Sequence, residues 1–181
     1  SFLYTFYETN QPTYTEVNLC KLHEKVFFSS SYASNSFKSA GLNNCTNIPI
    51  GFDQDIMLEE ARKIPNKTHF TLMGKLEKRK HTLKILKLWC KKYGNNPNLE
   101  LTCAITNRFM PVDAINREIG NVLNGEHYDN VNFLPFLPKN SEINELLLSS
   151  DIDLTGLSGA EGWNLPSFNA TCAGNWSCVL N

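Results

Sequence analysis

Two short stretches combine residue types able to hold a phosphorylated sugar. The first, Gly74-Lys75-Leu76-Glu77-Lys78-Arg79-Lys80-His81, lies between a run that reads as a strand and one that reads as a helix. Cations and unpaired backbone N–H groups at a strand-to-helix junction suit a phosphate. Charge alone would leave this stretch a solvated basic turn, the usual fate of a charge run. The second, Leu157 to Pro166, contains Gly159 and Gly162, the carboxylate Glu161 and the start of an incoming helix. Glycines let backbone approach a ligand closely, and a helix N-terminus attracts an anion. Each carboxylate oxygen accepts hydrogen bonds from sugar hydroxyls. Taken by itself, one Glu in a Gly-rich stretch is equally consistent with an exposed loop.

The elements that must position these loops follow from hydrophobic periodicity. Short apolar runs alternate with longer periodic segments, which predicts repeated strand-helix units, a mainly parallel sheet and an α/β fold. The predicted strands are Phe2 to Phe6, Lys25 to Ser29, Thr68 to Met73, Leu99 to Ile105, Val131 to Leu134 and Asp151 to Leu154, with Ser177 to Leu180 beginning a last one. The predicted helices are Thr15 to Leu22, Ser34 to Ala40, one after His81 that ends at Gly94, Pro111 to Leu123, Glu142 to Ser149 behind a Ser141 N-cap, and Leu165 to Ala173. In the helix after His81, Leu83, Leu86, Leu88, Trp89 and Tyr93 recur at helical spacing while Lys84, Lys87, Lys91 and Lys92 take the other faces. Pro49 between Ile48 and Ile50 predicts an extended crossing segment, because proline cannot donate to a ladder.

Composition narrows the function classes. At 181 residues, 41% hydrophobic and 19% charged, the chain reads as globular and long enough to bury roughly 70% of its unfolded surface. The formal net charge of −1 excludes a global pull toward nucleic acid, so any anion site must be local. No apolar run approaches the roughly 20 residues of a membrane-spanning helix, and a cytoplasmic location is the expectation. Cys20, Cys45, Cys90, Cys103, Cys172 and Cys178 show neither C-x-x-C nor zinc-ligand spacing and read as reduced core thiols, with no metal site. The common phosphate-loop fingerprints, G-x-G-x-x-G and G-x-x-x-x-G-K-[ST], are absent.

Together the two loops resemble the donor site of retaining GT-B glycosyltransferases of the family 4-like, group 1 kind. That family has Gly-Arg-Leu with a Lys six positions after the Gly, similar to Gly74, Lys75, Leu76 and Lys80. Its later signature, Ser-x-x-Glu-Gly-Phe-Gly-Leu-Pro with a second Glu eight positions after the first, is matched by Ser158, Glu161, Gly162, Leu165 and Pro166. Trp163, Asn164 and Asn169 replace the Phe, the second Gly and the second Glu, and Cys172-Ala173-Gly174 resembles the small-small-Gly turn that follows. Glu8, Ser31, Phe37, Gly41, Ile48-Pro49 and Gly51-Phe52-Asp53 resemble the family's passage between its two domains.

The resemblance implies a Rossmann-like parallel sheet with helices on both faces. Residues 1–47 would be the tail of an N-terminal domain and the crossover, and 48–181 a nucleotide-sugar-binding domain. It implies that Lys75 and Lys80 bind the donor diphosphate and Glu161 the sugar hydroxyls. Backbone from Gly162 through Trp163 and Asn164 to Leu165 would complete the sugar and phosphate contacts beside Gly74. Asn169 would face the ribose, with one carbonyl acceptor where a carboxylate has two oxygens, and Phe136 and Leu137 the base. The partner is then a nucleotide-sugar donor, a UDP- or GDP-sugar, used as substrate with no cofactor, and a glycan, lipid or small-molecule acceptor. Peripheral membrane contact and a homo-oligomer are compatible with the resemblance; nucleic acid is not expected. The chain reads as a fragment with little transfer activity of its own. The rival reading is a non-catalytic nucleotide-binding or interaction domain descended from such an enzyme, which the Asn169 substitution suggests.

Overall fold

A computed structural model describes residues 1–52, 63–158 and 161–180. Asp53 and Gly159, both named above, lie outside the described residues. The chain divides into two compact units, one formed by Ser1–Phe52 with Ala160–Trp163 and the other by Asp53–Gly159 with Asn164–Asn181.

The first unit carries a three-stranded parallel sheet in the order β1-β2-β3, from β1 (Phe2–Thr5), β2 (Lys25–Phe28) and β3 (Cys45–Asn47). The helices α1 (Tyr14–Lys21) and α2 (Ser31–Ser39) connect them. Val17 and Cys20 of α1 and Ala33 and Phe37 of α2 pack with Val26 and Phe28 of β2 in one buried cluster. A capping box starts α1: Thr13 Oγ accepts from the Glu16 N–H at 3.2 Å, and the Glu16 carboxylate accepts from the Thr13 N–H at 2.6 Å. The first-turn acid and cap together satisfy two otherwise orphaned donors. Strand β3 has a single apolar residue, too little for periodicity to register. Its ladder continues to Ile48, whose N–H donates to the Phe28 carbonyl at 2.9 Å, and stops at Pro49 as the missing N–H requires.

The second unit holds a five-stranded, all-parallel sheet in the order β6-β5-β4-β7-β8. Its strands are β4 (Thr68–Lys75), β5 (Leu99–Thr106), β6 (Val131–Phe133), β7 (Ile152–Asp153) and β8 (Trp176–Ser177). The helices are α3 (Thr82–Tyr93), α4 (Val112–Val122), α5 (Asn140–Ser149) and α6 (Leu165–Cys172). Period-two alternation sends Leu72, Leu101, Cys103 and Ile105 to one face, where they pack against Leu86, Trp89 and Ile115 of α3 and α4. Met73 and Ala104 point to the other, against Leu146, Leu147 and Ala170 of α5 and α6. Helices therefore cover both faces of this sheet, as the α/β expectation requires, and its strands are apolar on both sides. Burying Leu72, Leu86 or Leu101, all almost fully enclosed, contributes about 1.5–3 kcal/mol each.

Four expectations need correction. Helix α2 begins at Ser31 behind a Ser30 N-cap, whose hydroxyl accepts from the Ala33 N–H at 3.2 Å, three residues before the expected Ser34. Helix α5 begins at Asn140 behind Lys139, not behind a Ser141 N-cap. The Glu142 carboxylate there accepts from the Lys139 N–H at 3.2 Å, so the first-turn acid still acts where the helix dipole favours it. The last strand is Trp176–Ser177, because the N–H groups of Trp176 and Cys178 pair with the Asp151 and Asp153 carbonyls. Of the six cysteines, all free, Cys20, Cys45, Cys90 and Cys103 are core thiols, but Cys172 at the end of α6 is exposed and Cys178 is half-buried. Burial pushes the Cys90 thiol up to about 11 and that of Cys103 further, because a thiolate is poorly solvated there. No helix among the described residues is long and apolar enough to cross a membrane.

Candidate functional site

In an open parallel sheet, ligands bind beyond the carboxyl ends of the strands, where neighbouring strands send their connections to opposite faces. In the second unit that point lies between β4 and β7. The chain leaving β4 enters α3 on one face, and the chain leaving β7 enters α6 on the other. Both loops singled out for chemistry begin here.

The ladder of β4 runs on through Gly74 and Lys75, paired with Ile105 and Thr106, two residues beyond the expected end at Met73. Gly74 has φ 120°, a backbone state that residues with a Cβ rarely adopt. Lys75 follows, with its ammonium 5.1 Å from the Phe109 ring centre and 3.5 Å from the Glu77 carboxylate. Lys78–Lys80 form a single 3-10 turn in which Lys80 is half-buried. His81 then adopts φ 54° and α3 begins with no cap from the His81 side chain, so among the described residues its first-turn backbone donors are not capped by that residue. His81 Nδ1 lies 3.3 Å from the Leu157 carbonyl of the loop after β7. Thr155 Oγ1 accepts from the Met73 N–H at 3.0 Å, a second tie between the two loops.

The loop after β7 rests on Asp153, which is fully buried. Its carboxylate accepts from Ser167 Oγ at 2.6 Å and from the Thr155 N–H at 3.1 Å, clamping the entry to α6. A Cβ at Gly156 would stand 2.5 Å from Val179 Cγ1 and 2.6 Å from the Cys178 carbonyl oxygen, so only glycine fits. The Ser158 hydroxyl is buried with no hydrogen-bond partner among the described residues, a state that costs about 1–3 kcal/mol unless something polar reaches it.

Asn164 caps α6, its side-chain oxygen accepting from the Ser167 N–H at 3.3 Å while the backbone sits at φ 61°. This explains why Asn can stand where the resembling family has Gly. Asn is among the few side chains tolerated in the left-handed region, and it adds a cap that Gly lacks. Asn164→Val should therefore lose the cap and incur left-handed strain, lowering stability by about 2–3 kcal/mol. Asn164→Gly should cost well under 1 kcal/mol. Urea denaturation of both variants checks this, and equal losses would rule out the left-handed backbone as the cause.

Leu165 is exposed at the first position of α6, and Asn169 is half-buried one turn on. Glu161, Gly162 and Trp163 belong to the first unit, where Glu161 and Trp163 are half-buried and the Gly162 carbonyl accepts from Ser29 Oγ at 3.1 Å.

A cavity of about 490 Å³ opens at the carboxyl ends of β4 and β5. Met73, Gly74, Lys75, Phe136, Leu137 and Pro166 are among its lining residues, so the structure brings Gly74, Lys75, Phe136 and Leu137 together around one cavity, whereas Lys80, Asn164, Leu165 and Asn169 are not part of that lining. Its size is that of a small-molecule site. Sequence reasoning missed Arg108 and Phe109, which also line it. Arg108 lies with its guanidinium carbon 3.9 Å from the Phe136 ring centre, and Phe109 is 83% exposed beside Lys75. The available signal was positional. In a parallel sheet the loop after β5 must emerge at the same edge as the loop after β4.

No protein-family model and no curated protein matches the chain. Solved structures do resemble it. The apo structure of OtsA aligns at TM-score 0.72 and 13% identity over 95% of this chain and 49% of its own. The C-terminal domain of a glycosyl transferase group 1 family protein, LpcC from Francisella tularensis, aligns at TM-score 0.58 and 18% identity over 70% of this chain and 69% of its own. Anabaena HepE in complex with UDP and glucose aligns at TM-score 0.64 and 18% identity over 91% and 47%. The fold is that of GT-B glycosyltransferases. This chain spans about half the length of the OtsA and HepE chains. At these identities the likeness carries the GT-B fold and leaves the chemistry to the residues.

Proposed function

We propose that this chain binds the donor of a retaining glycosyltransferase, a UDP- or GDP-sugar, whose sugar passes to a glycan, lipid or small-molecule acceptor. The observation that carries the reading is the cavity at the carboxyl ends of β4 and β5. Its walls are apolar and partly aromatic, its rim includes Lys75, and it stands beside the strand-order switch of a GT-B fold. An apolar slot beside a fixed cation suits a base joined to a diphosphate. The HepE structure holds UDP and glucose, and a TarM structure of the same fold holds UDP.

In this reading the base enters the slot beside Phe136 and Leu137, and Lys75 and Lys80 meet the diphosphate. Breaking the sugar-phosphate bond leaves negative charge on the departing diphosphate. Fixed cations and the first-turn backbone donors of α3 stabilise that charge as it develops. By the family resemblance, the sugar hydroxyls would fall to Glu161 and the backbone of Gly162 to Leu165, and the ribose to Asn169.

Thermal-shift measurement with nucleoside diphosphates and nucleotide sugars tests the reading. A ligand at a hundred times its Kd should add about 2.7 kcal/mol to stability and raise Tm accordingly. If none of these ligands moves Tm at millimolar concentration, the chain is not a donor-binding domain.

A further inference from the structure

Arg108 follows β5 and lies on the Phe136 face at 3.9 Å, inside the cavity lining that also includes Lys75 and Leu137. No ion pair to a carboxylate engages it among the described residues, whereas Lys75 stands 3.5 Å from the Glu77 carboxylate. A guanidinium stacked on a ring is desolvated on one side and held in orientation. Its N–H groups lie in the plane of the fork and are donors only. The rest of the lining adds few backbone donors, because Pro135 and Pro166, both part of it, carry no N–H. A planar ligand entering this slot therefore meets a fixed edge of positively charged donors.

Resting on the donor-site reading above, we infer that Arg108 is a specificity-determining residue that selects keto bases, uracil or guanine, over amino bases, cytosine or adenine. A keto oxygen accepts from the guanidinium. An exocyclic amino group at the same place turns its own hydrogens toward donors and leaves both sides unsatisfied. A hydrogen bond to a charged group has a strength equivalent to a discrimination of about tenfold to a hundredfold.

The test compares bases of equal ring size, UDP with CDP and GDP with ADP, by calorimetry on the 181-residue chain, with inorganic pyrophosphate as a base-free probe. The wild-type protein should bind the keto member of at least one pair tenfold or more tightly. Arg108→Ala should shrink that gap to threefold or less with pyrophosphate affinity unchanged, and Arg108→Lys, which keeps the charge without the planar fork, should restore little of it. A gap that survives Arg108→Ala overturns the inference. So does an equal weakening of all four nucleotides and pyrophosphate, which would make Arg108 a phosphate ligand and leave the donor site standing. A wild-type chain that binds none of the five removes the donor-site reading and this inference together.

Discussion

Replacing Lys80 by alanine is expected to weaken nucleoside-diphosphate binding roughly tenfold to a hundredfold, the equivalent of one charge-assisted hydrogen bond of about 1.5–3 kcal/mol. Lys80 ends the 3-10 turn between β4 and α3 and is half-buried, so its ammonium is better placed than a fully solvated one to keep its strength against salt. Lys75→Ala should act in the same direction, since Lys75 lines the cavity directly. Lys91→Ala, an exposed change in the last turn of α3, is the control and should leave affinity unaltered. Calorimetric titration distinguishes the cases: equal effects from Lys80 and Lys91 would mean that only general positive charge is at work, and an unchanged affinity for Lys80→Ala would remove it from the site.

The largest effect on folding is expected at Asp153. Its carboxylate is 0% exposed and joins the end of β7 to the first turn of α6 through Ser167 and Thr155. Asp153→Ala orphans a buried hydroxyl and a backbone N–H, and two hydrogen bonds to a charged group are together worth at least about 3 kcal/mol. That is a large share of the 5–15 kcal/mol typical of a domain. Asp153→Asn keeps the shape and one acceptor and should lose about half as much. Guanidinium denaturation followed by circular dichroism measures both. A loss below about 0.5 kcal/mol for the alanine variant, the level of an ordinary surface change, would show that the clamp contributes nothing. A bound nucleoside diphosphate should recover part of the loss by mass action, which links this structural residue to the adjoining loop.

These expectations differ in how much of their basis could be read from residue order. Lys75, Lys80 and Gly74 stood out because a strand, a glycine and a cation run are contiguous. The structure then put Gly74 at a positive φ and Lys75 on the cavity rim. The clamp at Asp153 was invisible, because an Asp in a short apolar run looks the same whether its carboxylate meets water or Ser167. Arg108 and Phe136 are far apart in the chain, and nothing local announces a stack between them. The exposed Cys172 was misread for a related reason, since composition marks cysteine as buried without saying which side of α6 it takes.

The sequence by itself determined the strand-helix alternation, the apolar faces of α3 and the places where glycine, proline or asparagine must stand, because these depend on periods of two to four residues and on local backbone sterics. Only the tertiary structure decided the strand order β6-β5-β4-β7-β8, the ladder of the barely apolar β3 and the meeting of the loops after β4, β5 and β6 around one cavity. Parallel strands pair through crossovers of a dozen or more residues. Their order is chosen by which arrangement buries both faces of the sheet at once, a property of the whole chain that no local window contains.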